Sequence, residues 1–256
     1  MPLIQAVERA LNILDLFDEY STELKITEIS ERLLLNKSTV HSLLKTLQKH
    51  GYIEQNAENG KYKLGMKLFE RGNFVVHNLD IRSVAKKYLL ELSKQTGHTL
   101  HLVILDGKEG VYIDKVEGSS GIVFYSRIGR RAPVHSTGVG KTLLAFRKEE
   151  ELNVILDGYV FNKQTPKTIT NKEEFLDELK KIKEKGYAID NEENEPGICC
   201  VAVPVRNHTG EVVAAISISM PTPQLNAEEM KRIVPMMKEA GENISKEMGF
   251  NPTPVL

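Results

Sequence analysis

Residues Asn36–Gly51, NKSTVHSLLKTLQKHG, decide the fold of the N-terminal part of this chain. The segment from Arg32 to Ile53 contains no Asp or Glu, although 27% of all residues are charged. One face therefore carries only cations and small polar groups, which suit the phosphates and base edges of a DNA major groove. The alternative is an ordinary amphipathic surface helix. The other face is apolar with the i, i+3, i+4, i+7 spacing of a helix: Val40, Leu43, Leu44 and Leu47.

The flanking segments predict a winged helix-turn-helix. Residues 4–20 form a first helix, and Thr27 is the expected N-cap of a short helix over 28–34. Gly51 suits the position after the third helix, and strands over 52–55 and 61–64 form a hairpin. The apolar face expected for the first helix is Val7, Ala10, Leu11, Leu14 and Phe17. The candidate DNA-binding residues are Lys37, Ser38, Thr39, His41, Ser42, Lys45, Lys61 and Lys63.

The charge balance limits the electrostatic argument for DNA binding. Residues 1–64 contain eight Lys and Arg against nine Asp and Glu, and the whole chain has a net charge of −1. Nucleic-acid binding therefore rests on one local basic helix, since the domain is not basic overall.

Length and composition predict two domains in a cytoplasmic protein. The chain has 256 residues and 41% apolar content, enough for two cores. Its first 20 residues are too acidic for a signal peptide, and no apolar run approaches the roughly 18 residues of a membrane span. Adjacent Cys199 and Cys200 should point to opposite faces of a strand, so a reduced cytosolic protein is the simplest interpretation.

The remaining residues predict an α+β domain behind a connecting helix. Residues 65–79 form that helix, with Gly72 interrupting its apolar spacing. Asp80 is the expected N-cap of the next helix, and Asn226 caps a final helix that Pro235 should kink. A mixed, mainly antiparallel sheet is expected. Its strands are 99–105, 111–116, 122–128, 187–190, 198–205 and 211–220, with helices at 141–148, 149–156 and 172–185.

Gly138-Val139-Gly140-Lys141-Thr142 resembles the end of a phosphate-binding P-loop. His135 stands where that motif requires Gly, and we expect no strand before the turn, so nucleotide hydrolysis is disfavoured. A Gly-rich turn that opens a helix still offers free N–H groups to an anion. The alternative is a turn with no ligand.

Other polar groups give weaker indications. The acidic run 190–193 could bind a metal, but no His lies near it in sequence, and such loops are usually just solvated. Ser217 and Ser219 share one face of a strand and need hydrogen-bond partners if they are buried. No Ser/His/Asp or Cys/His grouping can be assembled, so we predict no enzyme, no catalytic residues, no metal and no cofactor.

Several strings in order make the chain similar to the IclR (isocitrate lyase regulator) family of bacterial transcription factors. They cover nearly the whole chain, and their occurrence in order is more specific than any one of them. The strings are residues 6–10, 37–40, 63–65, 134–141, 190–193, 197–205 and 217–219.

This resemblance implies a winged-helix DNA-binding domain (1–65), a linker helix (66–79) and a GAF-like effector domain (80–250). It also implies homodimers, often paired into homotetramers, on palindromic operators, and a small organic acid as effector. Val139 stands where a smaller Ala is common, and Gln224 stands where an Arg often follows the last strand. The effector-binding positions implied are Gly138, Val139, Asp190, Cys200, Ser217 and Ser219. If Asp190 lines the cavity, we expect it to be an anion that accepts a hydrogen bond from an effector hydroxyl.

The sequence thus predicts a ligand-responsive DNA-binding regulator, a repressor of a metabolic operon whose effector is a hydroxy or keto acid. The first alternative is a metabolite sensor or enzyme whose N-terminal module makes protein contacts only. A P-loop protein is a further, weaker alternative. A gel-shift assay with the chain's own upstream DNA distinguishes the regulator from the first alternative. A nucleotide-binding measurement tests the P-loop alternative.

Overall fold

The computed structural model describes residues 3–18, 21–77, 81–119 and 126–251, with only the backbone described over 72–77. Two compact units divide between Leu79 and Asp80. No helix within the described ranges is long and apolar enough to cross a membrane.

The N-terminal unit is a three-helix core followed by a hairpin and a further helix. Its buried centre includes Ile13, Ile29 and the two α3 residues Val40 and Leu44, so the predicted apolar face of residues 36–51 is confirmed. Gly51 follows the helix at φ +75, in the left-handed region that favours glycine. The elements are α1 (Gln5–Leu14), α2 (Ile26–Leu33), α3 (Lys37–Lys49), β1 (Ile53–Gln55), β2 (Tyr62–Leu64) and α4 (Met66–His77).

Two expectations for α1 and α2 were wrong in detail. α1 ends at Leu14, and its predicted face divides, because Leu14 and Phe17 pack on the core whereas Val7 and Leu11 are about half exposed. α2 begins at Ile26, one residue before the expected cap Thr27. The Glu28 carboxylate instead accepts a 2.6 Å hydrogen bond from the Lys25 N–H, which fixes the earlier start.

The C-terminal unit is one six-stranded sheet with helices, which confirms the α+β prediction. The strand order is β5-β4-β3-β8-β7-β6. A mixed sheet would need a parallel pair of strands, but all five described pairings are antiparallel. The elements are α5 (Ile81–Thr96), β3 (Thr99–Asp106), β4 (Glu109–Val116), β5 (Arg131–Pro133), α6 (Gly138–Ala145), α7 (Glu149–Leu156), α8 (Lys172–Lys185), β6 (Ala188–Asn191), β7 (Ile198–Arg206), β8 (Val212–Pro221) and α9 (Ala227–Glu247).

Some predictions for this unit need correction or remain open. A short strand, β5, precedes the Gly-rich turn where none was expected, and α6 begins at Gly138 rather than at Lys141. The Asp80 cap and residues 122–125 of an expected strand lie outside the described residues, and 126–128 are not extended in a strand. Asn226 caps α9 by accepting hydrogen bonds from the N–H groups of Glu228 and Glu229.

Candidate nucleic-acid interface and ligand cavity

The polar face of α3 is open to solvent. Lys37, Ser38, His41, Ser42 and Lys45 are exposed, and Thr39 is partly exposed. Asn36 occupies the N-cap, but its side chain makes no capping bond. The first-turn N–H groups are therefore left for a partner such as a phosphate.

Hydroxyls on this face bond within the helix. Ser42 Oγ donates to the Ser38 carbonyl at 3.1 Å, and Thr46 Oγ1 donates to the Ser42 carbonyl at 3.0 Å. Because the Ser42 hydroxyl donates its proton within the helix, its oxygen can act only as a hydrogen-bond acceptor toward a partner.

The hairpin is tied to the segment before α2. Leu24 and Tyr62 exchange two backbone hydrogen bonds, and Glu23 accepts from the amide groups of Asn56 and Asn59 at 3.2 and 2.8 Å. These contacts hold the loop that carries Lys61. The ammonium of Lys63 lies 3.3 Å from Glu54, a solvent-exposed pair that a phosphate can displace at little cost. Sequence reasoning missed Glu23, because its partners are more than 30 residues away.

The C-terminal unit contains a cavity of about 470 Å³ that includes all six predicted effector positions in its lining. Sheet register explains the grouping. Asp190 pairs with Cys200, which pairs with Ser219, so one row of side chains crosses β6, β7 and β8 on one face. In the next row, Ser217 pairs with His101 of β3. The start of α6 supplies Gly138 and Val139.

The first turn of α6 provides two free donors. Thr137 caps the helix by accepting a 3.1 Å hydrogen bond from the Gly140 N–H, and the Lys141 N–H donates to the Thr137 carbonyl. Within the described residues, the N–H groups of Gly138 and Val139 have no acceptor. They face a polar cavity at the positive end of the helix dipole, which is an arrangement that binds carboxylates.

Asp190 is almost fully buried and differs electrostatically from the sequence expectation. Its Oδ1 accepts hydrogen bonds from the N–H groups of Glu193 and Asn194 at 2.7 and 3.4 Å. Burial raises the pKa of Asp190 to about 7, although the bond from Glu193 opposes this shift. The residue was expected to be an anion, but this raised pKa makes the protonated form accessible at neutral pH.

A chain of neutral polar groups lines the sheet side of the cavity. Cys200 Sγ lies 3.1 Å from Ser219 Oγ, which lies 3.4 Å from His101 Nδ1. His101 Nε2 lies 2.7 Å from Ser126 Oγ. Burial, with a smaller effect of Lys115, lowers the pKa of His101 to about 3, so the ring is neutral at physiological pH. His101 and Ser126 were not predicted, because only the pairing of β3 with β8 brings His101 to this wall.

The His101–Ser126 contact does not make a nucleophile and base of the kind used in hydrolases. An imidazole whose pKa is about 3 is a poor base at neutral pH. Its other nitrogen faces the Ser219 hydroxyl rather than an orienting carboxylate. Among the described residues, no group of three or more His, Cys, Asp or Glu is placed to hold a metal ion.

Lys141, the P-loop-like lysine, does not reach the cavity. It is fully buried, and its Nζ donates to the Ile189 carbonyl and to Glu193 Oε1, both at 2.6 Å, with Glu178 Oε1 at 3.4 Å. The cation thus holds the 189–193 segment against α6. His135 is also committed, with Nε2 bonded to the Asn162 carbonyl and Nδ1 to the Tyr159 hydroxyl. Both features are inconsistent with a nucleotide site.

A winged helix-turn-helix joined in one chain to a domain with a polar cavity is the architecture of a ligand-responsive transcriptional regulator. The sequence matches the model of the IclR helix-turn-helix domain over residues 6–57. It matches the bacterial transcriptional regulator IclR C-terminal model over residues 73–246.

Individual relatives agree with these matches. The chain is 56% identical to the HTH-type transcriptional regulator XynR of Escherichia coli, covering 98% of this chain and 99% of that one. It is 41% identical to the HTH-type transcriptional regulator KdgR of E. coli, covering 98% and 95%. The crystal structure of the Thermotoga maritima IclR superposes with a TM-score of 0.65 at 38% identity, covering 96% and 99%. The chain belongs to the IclR family of bacterial transcriptional regulators.

Proposed function

We propose that this protein is a repressor that binds operator DNA through α3 and is controlled by a small hydroxy or keto acid in the cavity. The observation that carries the proposal is that one cavity brings together the N–H groups of Gly138 and Val139, which have no acceptor among the described residues, and the buried hydroxyls of Ser217 and Ser219. Repression is the simpler outcome, because a bound protein needs only to occupy the DNA. DNA as its target implies action in the cytoplasm.

The effector proposal assigns each polar group a part. A carboxylate is held by the N–H groups of Gly138 and Val139. Ser217 and Ser219 bond to hydroxyl or keto oxygens further along the ligand. Val139 narrows the space beside the carboxylate, so Val139→Ala should admit a bulkier acid. Gln224 is exposed and lies outside the cavity lining, so it takes no part.

Calorimetry with matched acids and amides tests this proposal. We expect the acid to bind more tightly than its amide, because the amide lacks the charge that the helix N-terminus favours. Ser217→Ala should weaken the acid by about 0.5–1.5 kcal/mol through the loss of one hydrogen bond. Ser93→Ala is the matched control, since the Ser93 hydroxyl bonds to the carbonyls of His98 and Glu117 away from the cavity lining. Equal affinity for acids and amides would contradict the anion site.

The DNA proposal places α3 in the major groove. Thr39, His41 and Ser42 approach base edges, with Lys37, Ser38 and Lys45 beside them, and Lys61 and Lys63 of the hairpin lie along the phosphate backbone. The support is the exposure of this polar face and the absence of carboxylates from α3.

Lys45→Ala should weaken binding to every DNA sequence alike and lower the salt slope by about 0.9 for each bound protomer, because each protomer loses one phosphate contact. Thr39→Ala and His41→Ala should instead change sequence preference, at roughly 1–3 kcal/mol for each lost base contact. Binding curves on specific and scrambled DNA over a range of salt separate the two effects. An unchanged slope for Lys45→Ala would remove it from the phosphate contacts.

The proposed DNA-bound form is a two-fold homodimer, which can pair further into a homotetramer. A single helix reads too few base pairs for an operator, and a dimer reads inverted half-sites about 10 bp apart, or a multiple of that spacing. The support is a set of large apolar side chains exposed on the N-terminal unit, which a second copy can cover. They are Leu3, Ile4, Val7, Leu11, Met66 and Phe69.

A further inference from the structure

Asp190 lies directly beside the proposed carboxylate site. A Cβ built on Gly138 would lie 3.7 Å from the Cβ of Asp190, which is ordinary van der Waals contact. Because Gly138, Val139 and Asp190 line the same cavity, an acid held by the N–H groups of Gly138 and Val139 would lie close to Asp190. Two carboxylates sharing one buried site cannot both stay ionised without a compensating charge.

No compensating charge bonds to Asp190 in the described structure. Its Oδ1 takes both backbone hydrogen bonds, and its Oδ2 accepts from no described residue. The buried cation Lys141 is committed to Glu193 and to the Ile189 carbonyl. The titratable groups around Asp190 are Lys141 from α6, Glu193 and Glu195 from the following loop, Cys200 from β7 and Tyr112 from β4, with Glu109, Arg130 and Arg131 on the same cavity wall.

Building on the proposed effector function, we propose that Asp190 is protonated in the complex and donates its O–H to the effector carboxylate. The proton comes from solvent, so binding of the anionic acid takes up as much as one proton. Asp190 thereby selects carboxylates by donating a charge-assisted hydrogen bond. Burial is the largest cause that raises the pKa of Asp190 to about 7 before any acid binds, so protonation at neutral pH is accessible.

Calorimetry on the full-length protein measures this uptake. The probe is the acid that binds most tightly among lactate, pyruvate, glycerate and gluconate, titrated at pH 6, 7 and 8 in two buffers of different ionisation enthalpy. Proton uptake should be small at pH 6 and approach one proton at pH 8, because Asp190 of the free protein goes from mostly protonated to mostly ionised. Affinity should be about tenfold weaker at pH 8 than at pH 6.

Two variants sharpen the result. Asp190→Asn keeps an oxygen acceptor for the Glu193 and Asn194 N–H groups and offers an N–H donor to the acid, so it should bind without proton uptake at any of these pH values. Asp177→Asn removes an exposed carboxylate of α8 that lies outside the cavity lining, and it should leave the uptake unchanged. Wild-type binding without proton uptake at pH 8 would overturn the inference and leave the effector proposal standing. Failure of all four acids to bind would overturn both.

Discussion

Replacing Lys141 by Met is expected to lower the free energy of unfolding of the C-terminal unit by about 3–5 kcal/mol. The lysine has no exposed side-chain area, and its ammonium contacts Glu193 at 2.6 Å and Glu178 at 3.4 Å. Met fills a similar volume but leaves the buried Glu193 carboxylate and the Ile189 carbonyl without their donor. The ionised form of Glu193 is already disfavoured, because burial raises the pKa of this carboxyl group even though Lys141 lowers it.

Urea unfolding of the full chain, followed by tyrosine fluorescence, measures this loss. Lys180→Met is the matched control. Lys180 is exposed on the neighbouring helix and pairs with Asp177 across one turn, so its loss should change stability by less than about 0.5 kcal/mol. Adding Glu193→Gln to Lys141→Met should recover part of the loss, because it removes the stranded charge. If Lys141→Met alone were as stable as wild type, the contacts of Lys141 with Glu193, Glu178 and the Ile189 carbonyl would contribute little to stability.

Gly140→Ala is expected to lower the free energy of unfolding by about 3 kcal/mol, which is the second large effect. An added Cβ would lie 2.4 Å from the Val134 Cα and 2.8 Å from the Pro133 carbonyl oxygen. Both are backbone atoms, which cannot rotate away as a side chain can, so α6 must move from the turn that precedes it. The same movement displaces the N–H groups of Gly138 and Val139, so acid binding should fall as well.

Gly138→Ala tests the steric argument with the same chemical change in the same helix. Its Cβ would meet the Ala202 side chain at 3.4 Å and the Asp190 Cβ at 3.7 Å, which are ordinary contacts. Because Ala favours helix over Gly, we expect its stability to equal or exceed that of wild type. The thermal unfolding temperature should therefore fall for Gly140→Ala and stay the same or rise for Gly138→Ala. Equal destabilisation would contradict the close approach at Gly140.

Local sequence patterns predicted the order of helices and strands in the N-terminal unit, although not the ends of α1 and α2. The apolar spacing of α3 and the glycine that follows the helix at Gly51 act over a few residues, so their outcome can be predicted without tertiary contacts. α6 behaved differently. Its residues are buried on every side, so it has no amphipathic period to mark its start, and Thr137 as N-cap fixes the first residue instead.

The cavity depended more on tertiary structure. Its six predicted residues were implied by resemblance to a family, and their roles stay predictions. His101 reaches the wall only through pairing between strands more than 100 residues apart in sequence. Residue types also could not fix electrostatic states. Asp190 was expected to be an anion, but burial raises its pKa to about 7. Lys141 resembled a phosphate ligand, but its ammonium group is paired with Glu178 and Glu193.

The central claim, that an acid in the cavity controls DNA binding through α3, is tested most directly by one titration. Fluorescence anisotropy would follow the purified protein on labelled DNA from upstream of its own gene at moderate salt, with and without the tightest-binding acid. We predict preferential binding over scrambled DNA and a change in affinity when the acid is added, which its amide does not produce. Equal affinity for both DNAs, unchanged by any acid that binds the protein, would contradict the account.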